Sequence, residues 1–258
     1  MNYVFDTHVH IYPFYDLEMA LGAIDSNLLK LESAGTRVAC LTERYDCHIF
    51  DDLLASSGRT GGGGFNMTPS SSCNSIRIEN AHSGTDFHLL PGQQIITGEN
   101  LEILSLNCRG RVQEGLPAAD TIREVLALGG IPVAAWAVGK WFTKRGKIIA
   151  SLIEQFSPSE LAVGDTTMRP RGWLTPLLMR KAVKAGLRVV CGSDPLPFSG
   201  EEIRPGSYAS RLTLDGKTLH PEEAIRYILM PEAEMHPAGS RGSIFEVLSR
   251  LYNHSKSH

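Results

Sequence analysis

The sequence lacks the segments that would place the protein in a membrane or send it out of the cell. No apolar run reaches about 18 residues, the length of a membrane-spanning helix, and the N-terminus does not have the layout of a signal peptide. The five cysteines are an odd number at long spacings without a CxxC pair, which disfavours a zinc knuckle or a redox pair. Scattered thiols in a chain of this size are typical of a reducing compartment, so we predict a cytoplasmic protein with no membrane partner.

A strong charge of either sign is also missing. The chain has 25 Lys and Arg residues against 28 Asp and Glu residues, which leaves a formal net charge of −3 over 258 residues. This balance disfavours a protein whose main role is to neutralise a phosphate backbone, so we expect no nucleic-acid partner. No G-x-G-x-x-G motif follows the first apolar run, which weakens the case for a dinucleotide site.

The sequence does contain an alternation of short apolar runs with amphipathic segments, which is the pattern of an α/β fold. Strands are predicted at residues 2–5, 36–41, 75–79, 88–97, 101–106, 131–136, 161–163 and 187–191. Helices are predicted at residues 17–33, 49–55, 118–128, 147–156, 174–185, 221–229 and 243–252. Residues 56–72 include four consecutive glycines, Gly61 to Gly64, and are predicted to form a surface loop.

Two topologies fit about seven strands that alternate with a similar number of helices. One is a closed, TIM-like (β/α) barrel, and the alternative is an open parallel sheet. No internal repeat and no shift in composition divides the chain, so a single domain is predicted over residues 1–258.

A histidine motif directly follows the first predicted strand, in the sequence Asp6-Thr7-His8-Val9-His10. Side chains alternate along a strand, so Asp6, His8 and His10 are predicted to point to one face. In a barrel, that face at the carboxyl end of a strand is where the chemistry is usually placed. Two neutral imidazoles on one side are a good start for a Zn, Mn or Fe site, which still needs oxygen ligands.

Asp194 is the best candidate for the missing oxygen ligand. It lies just past an apolar strand, in Val189-Val190-Cys191-Gly192-Ser193-Asp194. A carboxylate in this position can bind the metal or take a proton from a water molecule. We therefore predict a metal site formed by His8, His10 and Asp194, with Asp194 also in a catalytic role.

Several short stretches resemble a known family. They are residues 6–10 (DTHVH), 38–44 (VACLTER), 90–95 (LPGQQI) with 101–106, 129–136 (GGIPVAAW) and 192–194 (GSD). In this order they resemble the PHP (polymerase and histidinol phosphatase) group of metal-dependent phosphoesterases and, more loosely, the amidohydrolase superfamily. The resemblance spans most of the chain, and it implies a distorted barrel of about seven strands with a hydrolytic metal site.

The chain also departs from that family at several ligand positions. Where the family has an Asp-His pair, a Glu and two further His residues, this chain has Glu43-Arg44, Gln94, Trp136 and Leu196. The resemblance therefore implies at most one or two ions, on His8, His10 and Asp194, or no ion. Arg44 would place a fixed positive charge near the lost ligands, where we expect it to replace an ion and pair with Glu43 or Asp194.

Three further basic residues follow predicted strands and are candidates for substrate binding. Arg169 and Arg171 flank Pro170, and Lys140 follows the strand that ends at Trp136. Guanidinium forks suit phosphate or carboxylate groups. The alternative interpretation is that these are solvated loop residues.

These features lead to two functional hypotheses. The first is a metal-dependent hydrolase of phosphate esters, in which Arg44, Arg169 and Arg171 stabilise the phosphoryl charge. The alternative is a catalytically inactive relative that binds a small anionic ligand or a protein partner.

Overall fold

The computed structural model describes residues 1–57, 64–216 and 218–256. Its strands are β1 (Asn2–Val9), β2 (Thr36–Glu43), β3 (Phe65–Pro69), β4 (Ile76–Asn80), β5 (Asp86–Ile96), β6 (Glu102–Leu106), β7 (Ile131–Ala135), β8 (Ala162–Thr166), β9 (Val189–Gly192), β10 (Tyr208–Thr213) and β11 (Glu234–Gly239). Its helices are α1 (Leu17–Leu31), α2 (Ile49–Ser56), α3 (Ala118–Ala127), α4 (Thr143–Gln155), α5 (Leu177–Lys184), α6 (Pro221–Ala224) and α7 (Ile244–Lys256). None of these helices is long and apolar enough to cross a membrane.

The strands form one mixed sheet that curls into a nearly closed barrel. Nine strands follow one another in the order β11-β10-β1-β2-β5-β6-β7-β8-β9, and the β3–β4 hairpin pairs onto the first half of β5. Within this order the pairs β1–β2, β2–β5, β7–β8 and β8–β9 are parallel, and the other pairs are antiparallel. The α/β barrel prediction is therefore supported over the open parallel sheet, but the strand count of about seven is wrong.

The predictions missed β3, β10 and β11, and two of these strands, β3 and β11, have sequences that look like loops. β11 contains Pro237 and Gly239, which normally indicate a turn, and it is tolerated because it is an edge strand that needs hydrogen bonds on one side only. The prediction of a loop over residues 56–72 is wrong at β3, whose residues Phe65–Pro69 pair with Ile76–Asn80 of β4. Residues 61–63 of the predicted glycine loop lie outside the described residues.

The helix α1 shows how local sequence sets the helix ends. Asp16 accepts a hydrogen bond from the Met19 backbone N–H at 2.9 Å and caps the first turn. The prediction extends this helix to residue 33, but it ends at Leu31. The Glu32 backbone N–H donates to the Leu28 carbonyl at 2.9 Å and completes the last turn, while the Glu32 carboxylate accepts hydrogen bonds from the N–H groups of Ala34 and Gly35 at 3.2 and 3.1 Å and fixes the turn that follows.

Three large apolar clusters among the described residues hold these elements together, and a small fourth cluster joins Ile95 to Val112 and Val125. One takes side chains from β1, β2 and β5 to β10 together with residues 225–229, and it fills the barrel. A second packs α1 and α2 against the sheet, and a third packs α3, α4 and α5 against β6, β7 and β8. Burial of these side chains stabilises the barrel, because each Å² of apolar area removed from water contributes about 25 cal/mol.

The barrel closes between β9 and the β1–β10 pair without a regular ladder. The Cys191 backbone N–H donates to Ser210 Oγ at 2.8 Å, and Thr7 Oγ1 donates to the Cys191 carbonyl at 3.0 Å. Just beyond β9, the Asp194 N–H donates to the His8 carbonyl at 2.8 Å. These contacts bring the loop after β9 against the end of β1, which positions the candidate site.

This closure depends on the absence of a side chain at Gly192. A Cβ atom there would lie 2.4 Å from His8 Cβ and 2.6 Å from the His8 backbone nitrogen, so β1 and β9 would have to separate. We expect Gly192→Ala to lower the free energy of unfolding by about 3 kcal/mol, measured by chemical denaturation. The same substitution at Gly22, within α1, is the matched control. A Cβ atom added there would have Phe65 Cζ as its nearest neighbour, at an ordinary contact distance of 3.9 Å. Gly22→Ala should stabilise by about 0.5–1 kcal/mol, and an unchanged midpoint for Gly192→Ala would contradict the close packing.

Candidate functional site

The end of β1 departs from regular strand geometry. β1 pairs with β2 in register as far as Asp6 opposite Ala39, and then a register shift places Val9 opposite Leu41. Such a bulge re-aims the side chains that follow it. The histidines therefore lie in a bulged segment, where simple alternation from Asp6 does not apply.

Asp6 has a structural role and is not one of the converging donors. Its carboxylate accepts hydrogen bonds from the backbone N–H groups of His8 at 3.2 Å, Ser193 at 2.9 Å and Gly206 at 2.8 Å. Complete burial raises the pKa of Asp6 to about 6 in spite of these bonds. The carboxylate thus joins β1 to the segments that follow β9 and precede β10. The expectation that Asp6 points to the same face as the two imidazoles is therefore not met.

His8, His10 and Asp194 come together, as the sequence predicts. His8 Nε2 lies 3.1 Å from His10 Nε2 and 3.6 Å from Asp194 Oδ1, and one ligand atom from each residue lies within 4.8 Å of the others. Ligands of a tetrahedral zinc ion at its usual bond length are about 3.3 Å apart. The three side chains are therefore spaced to fit a single ion of that size.

Gln94 is a fourth polar group at this point. Its Oε1 lies 2.8 Å from His8 Nε2, although the sequence comparison with the phosphoesterase family treats Gln94 as a lost ligand. Amide oxygens do serve as ligands of hard cations. The candidate ligand atoms are therefore two imidazole nitrogens, one carboxylate oxygen and the amide oxygen of Gln94. Burial, followed by the neighbouring His8, lowers the pKa of His10 to about 3, which keeps this imidazole in the neutral form that binds metals.

The other nitrogen of His8 has no obvious support. His8 Nδ1 is buried and has no hydrogen-bond partner within the described ranges of the chain. Histidine ligands of metals usually donate this second N–H to a carboxylate or carbonyl group. The His8 ring is oriented instead by its Nε2 contacts and by the edge-on ring of His10, whose centroid is 4.9 Å away.

Asp194 is held in an unusual backbone conformation by a residue that the sequence analysis missed. Its φ of +51° lies in the left-handed region, which aspartate tolerates better than most residues. The Arg250 side chain, from α7, donates through Nη2 to the Asp194 carbonyl at 2.9 Å. Arg250 is only 3 % exposed, so this contact lies in the interior.

The remaining bonds of Arg250 lock the loop that follows β9. Its Nη1 donates to Thr167 Oγ1 at 2.7 Å, and its Nε and Nη2 bind the buried Glu201 carboxylate at 2.5–3.0 Å. Glu201 also accepts the Leu196 N–H at 2.9 Å. The sequence places Arg250 one turn after Val247 on the inward face of an amphipathic helix, which indicates a buried arginine but not its partner.

His10, Gln94 and Asp194 line a pocket of about 600 Å³ at the carboxyl end of the parallel strands. Arg44 lies in its wall and is 43 % exposed. The expected pairing of Arg44 with Glu43 or Asp194 is wrong, because its guanidinium pairs with Asp46 at 3.3 Å. Glu43 turns to the start of α2, where it accepts the Phe50 N–H at 3.0 Å, and burial raises its pKa to about 7.

The other predicted substrate-binding residues divide between two places. Lys140 lines the same pocket and pairs with Glu102 at 2.6 Å. Arg169 and Arg171 line a separate cavity of about 770 Å³, and Arg169 is buried in a two-bond pair with Asp165 at 2.5 and 2.6 Å. The structure therefore does not bring these two arginines to the histidines.

Trp136 and Leu196, which stand where the phosphoesterase family has histidines, lie in different parts of the structure. Trp136 is 3 % exposed and belongs to the apolar cluster under α3, α4 and α5, while Leu196 forms part of the pocket wall. The five cysteines are free thiols.

Comparisons with known proteins give a fold and not a family. The sequence matches no family model and no curated protein. The crystal structure of PsfC from Pseudomonas syringae PB-5123 is similar over 100 % of this chain and 99 % of that one, with a TM-score of 0.62 and 14 % identity. The lesion-specific endonuclease PfuEndoQ from Pyrococcus furiosus matches 92 % of this chain and 58 % of its own, with a TM-score of 0.49 and 14 % identity. At this identity, the likeness to PsfC shows a shared fold only.

Proposed function

We propose that this chain is a PHP-type, metal-dependent hydrolase of phosphate esters that works with one divalent ion, such as Zn, Mn or Fe. The observation that carries the proposal is the convergence of His8, His10 and Asp194, of which His10 and Asp194 line an open pocket. Bound there, the ion would supply Lewis acidity toward a substrate oxygen and a water molecule.

The donor set supports one ion better than several. Across residues 1–57, 64–216 and 218–256, His8, His10 and Asp194 are the group of histidine, cysteine and carboxylate side chains close enough to hold a metal. Glu43 is engaged at the start of α2, and Trp136 is packed in the core. The side chains that would extend the site to a second or third ion are therefore directed to structural contacts.

The chain's own residues can perform the other parts of the reaction. Arg44 and Lys140 bring positive charge to the pocket wall, where they can bind phosphoryl oxygens as charge develops on them. The Asp194 carboxylate is 15 % exposed to the pocket and can accept a proton from the attacking water. Arg169 and Arg171 are left out of the proposed mechanism, because they line the other cavity.

A second candidate is a protein that binds a small anion without hydrolysing it. The specific observation in its favour is His8 Nδ1, which lacks the hydrogen-bond partner that usually supports a ligating histidine. In such a pocket Arg44 and Lys140 would bind the anion beside their carboxylate partners Asp46 and Glu102, without any ion at the histidines.

Metal analysis of the purified chain separates the two candidates. We expect one equivalent of a divalent metal, lost in His8→Ala and retained in the control His82→Ala, which removes an exposed histidine. The metal-loaded chain should then release the alcohol from a generic aryl phosphate, and His8→Ala should not. Anion binding without metal or turnover would favour the second candidate, and neither binding nor turnover would contradict both.

A further inference from the structure

A ladder of aromatic rings leads outward from the candidate metal site. The His10 ring stacks on Tyr12 with centroids 5.3 Å apart, and Tyr12 stacks on Phe14 at 5.6 Å with an interplanar angle of 9°. The Tyr15 ring meets both Tyr12 and Phe14 edge-on at 5.2 Å. The chain turns at Pro13 and Phe14, where the Tyr15 N–H donates to the Tyr12 carbonyl at 2.9 Å, and this turn carries a continuous aromatic surface from His10 to the rim of the pocket.

The end of this ladder is open. Phe14 is 59 % exposed, while Tyr12 is buried and its hydroxyl donates to the Pro195 carbonyl at 3.5 Å. Phe14, Tyr12, Pro13, Arg44, Asp46 and Cys47 line a cavity of about 360 Å³. Tyr12, Arg44 and Asp46 also line the main pocket, so the small cavity is a lateral extension of it. We call this extension the aromatic subsite.

We propose that the aromatic subsite binds a planar aromatic group of the substrate, so that the preferred substrates are aryl or heteroaryl phosphate esters. This inference rests on the proposed function, because it places the ester group at the metal site and the ring beside Phe14. A ring in this position would stack on Phe14 or lie against the half-exposed guanidinium of Arg44.

The arrangement of the two walls favours a flat ring over an alkyl chain. Phe14 is fixed by its stacking on Tyr12 and by the edge of Tyr15, so little side-chain entropy is lost when a ligand ring is added to the stack. Arg44 is held by Asp46 and presents a planar fork that stacks on aromatic faces. An alkyl group would gain apolar burial here but not the stacking contribution.

The test compares two phosphonates, whose carbon–phosphorus bonds are not esters and are not hydrolysed. Phenylphosphonate and methylphosphonate are titrated calorimetrically into the metal-loaded chain. We expect phenylphosphonate to bind about tenfold more tightly, because its ring stacks on an aromatic side chain that methylphosphonate cannot use. In Phe14→Ala this preference should fall below about threefold, while the affinity for methylphosphonate stays the same.

Two variants control for the loss of an exposed ring. Phe14→Leu keeps apolar area without an aromatic face, and Phe245→Ala removes an exposed ring from α7 that lines neither cavity. Phe14→Leu should lose most of the preference, and Phe245→Ala should keep it. Equal binding of the two phosphonates, or a preference that survives in Phe14→Ala, would overturn the subsite while leaving the metal site intact. Failure of both phosphonates to bind would overturn the proposed function together with the subsite.

Discussion

The Asp194→Asn variant should lose both its divalent metal and its hydrolytic activity. Asparagine tolerates the left-handed backbone of this position, so the substitution removes the charge and leaves the φ of +51° accessible. Outer-sphere partners of metal ligands are worth about 10–100-fold in affinity, and a direct ligand should be worth at least the upper end of that range. We expect metal affinity to fall by about 100-fold or more, measured by competition with a chromogenic chelator.

The same substitution at an exposed carboxylate is the matched control. Asp120, on α3, pairs with Arg123 at the surface, and Asp120→Asn should keep both metal and activity. The unfolding midpoint of each variant shows whether the fold is retained. If Asp194→Asn binds the metal as tightly as the parent chain, Asp194 is not a ligand and the proposed site is wrong.

The Arg250→Met variant should be strongly destabilised and should also bind metal more weakly. The substitution leaves the Glu201 carboxylate buried without its main partner, which typically costs about 3–5 kcal/mol. Arg204 Nε lies 3.5 Å from Glu201 Oε1 and offsets part of this loss, so we expect about 3 kcal/mol by chemical denaturation. The Asp194 carbonyl also loses its donor, so its carboxylate is less well held at the site.

A double variant separates these two effects. Arg250→Met with Glu201→Gln removes the buried charge and should recover most of the stability. It does not restore a donor to the Asp194 carbonyl, so metal affinity should stay about tenfold or more below that of the parent chain. If metal affinity returns together with stability, Arg250 acts only on the fold. An unchanged affinity in both variants would likewise exclude a positioning role.

The local pattern of residues was sufficient for most helices and for seven of the nine strands of the barrel, since β10 and β11 were missed. Apolar spacing predicted α1, and alternation of short apolar runs with helices predicted β2 and β7, because both signals lie within a few consecutive residues. The same signals failed for β3 and β11, whose glycine, proline and polar residues read as loops. Edge pairing supplies those strands with the hydrogen bonds that their own composition does not favour.

The candidate site was likewise predicted only in part from the sequence. His8, His10 and Asp194 could be named from the chain alone, because each follows an apolar run at a strand end and imidazoles and carboxylates are typical metal ligands. Their mutual distances required the bulge in β1 and the close approach at Gly192. Neither feature has a signature in a single sequence, since each arises where two distant strands meet.

The roles of the charged residues were determined by packing. Arg44, Glu43 and Arg169 looked alike in the sequence as charged residues near strand ends, but burial and neighbouring backbone groups gave each a different partner. Arg250 gave no sign of its contact with Asp194, because that contact joins a terminal helix to a loop that comes much earlier in the chain. Residue types and their local periodicity therefore indicated an α/β fold and the three residues of the candidate metal site. Which side chains reach the site followed from long-range closure of the barrel, where burial makes every unpaired charge costly.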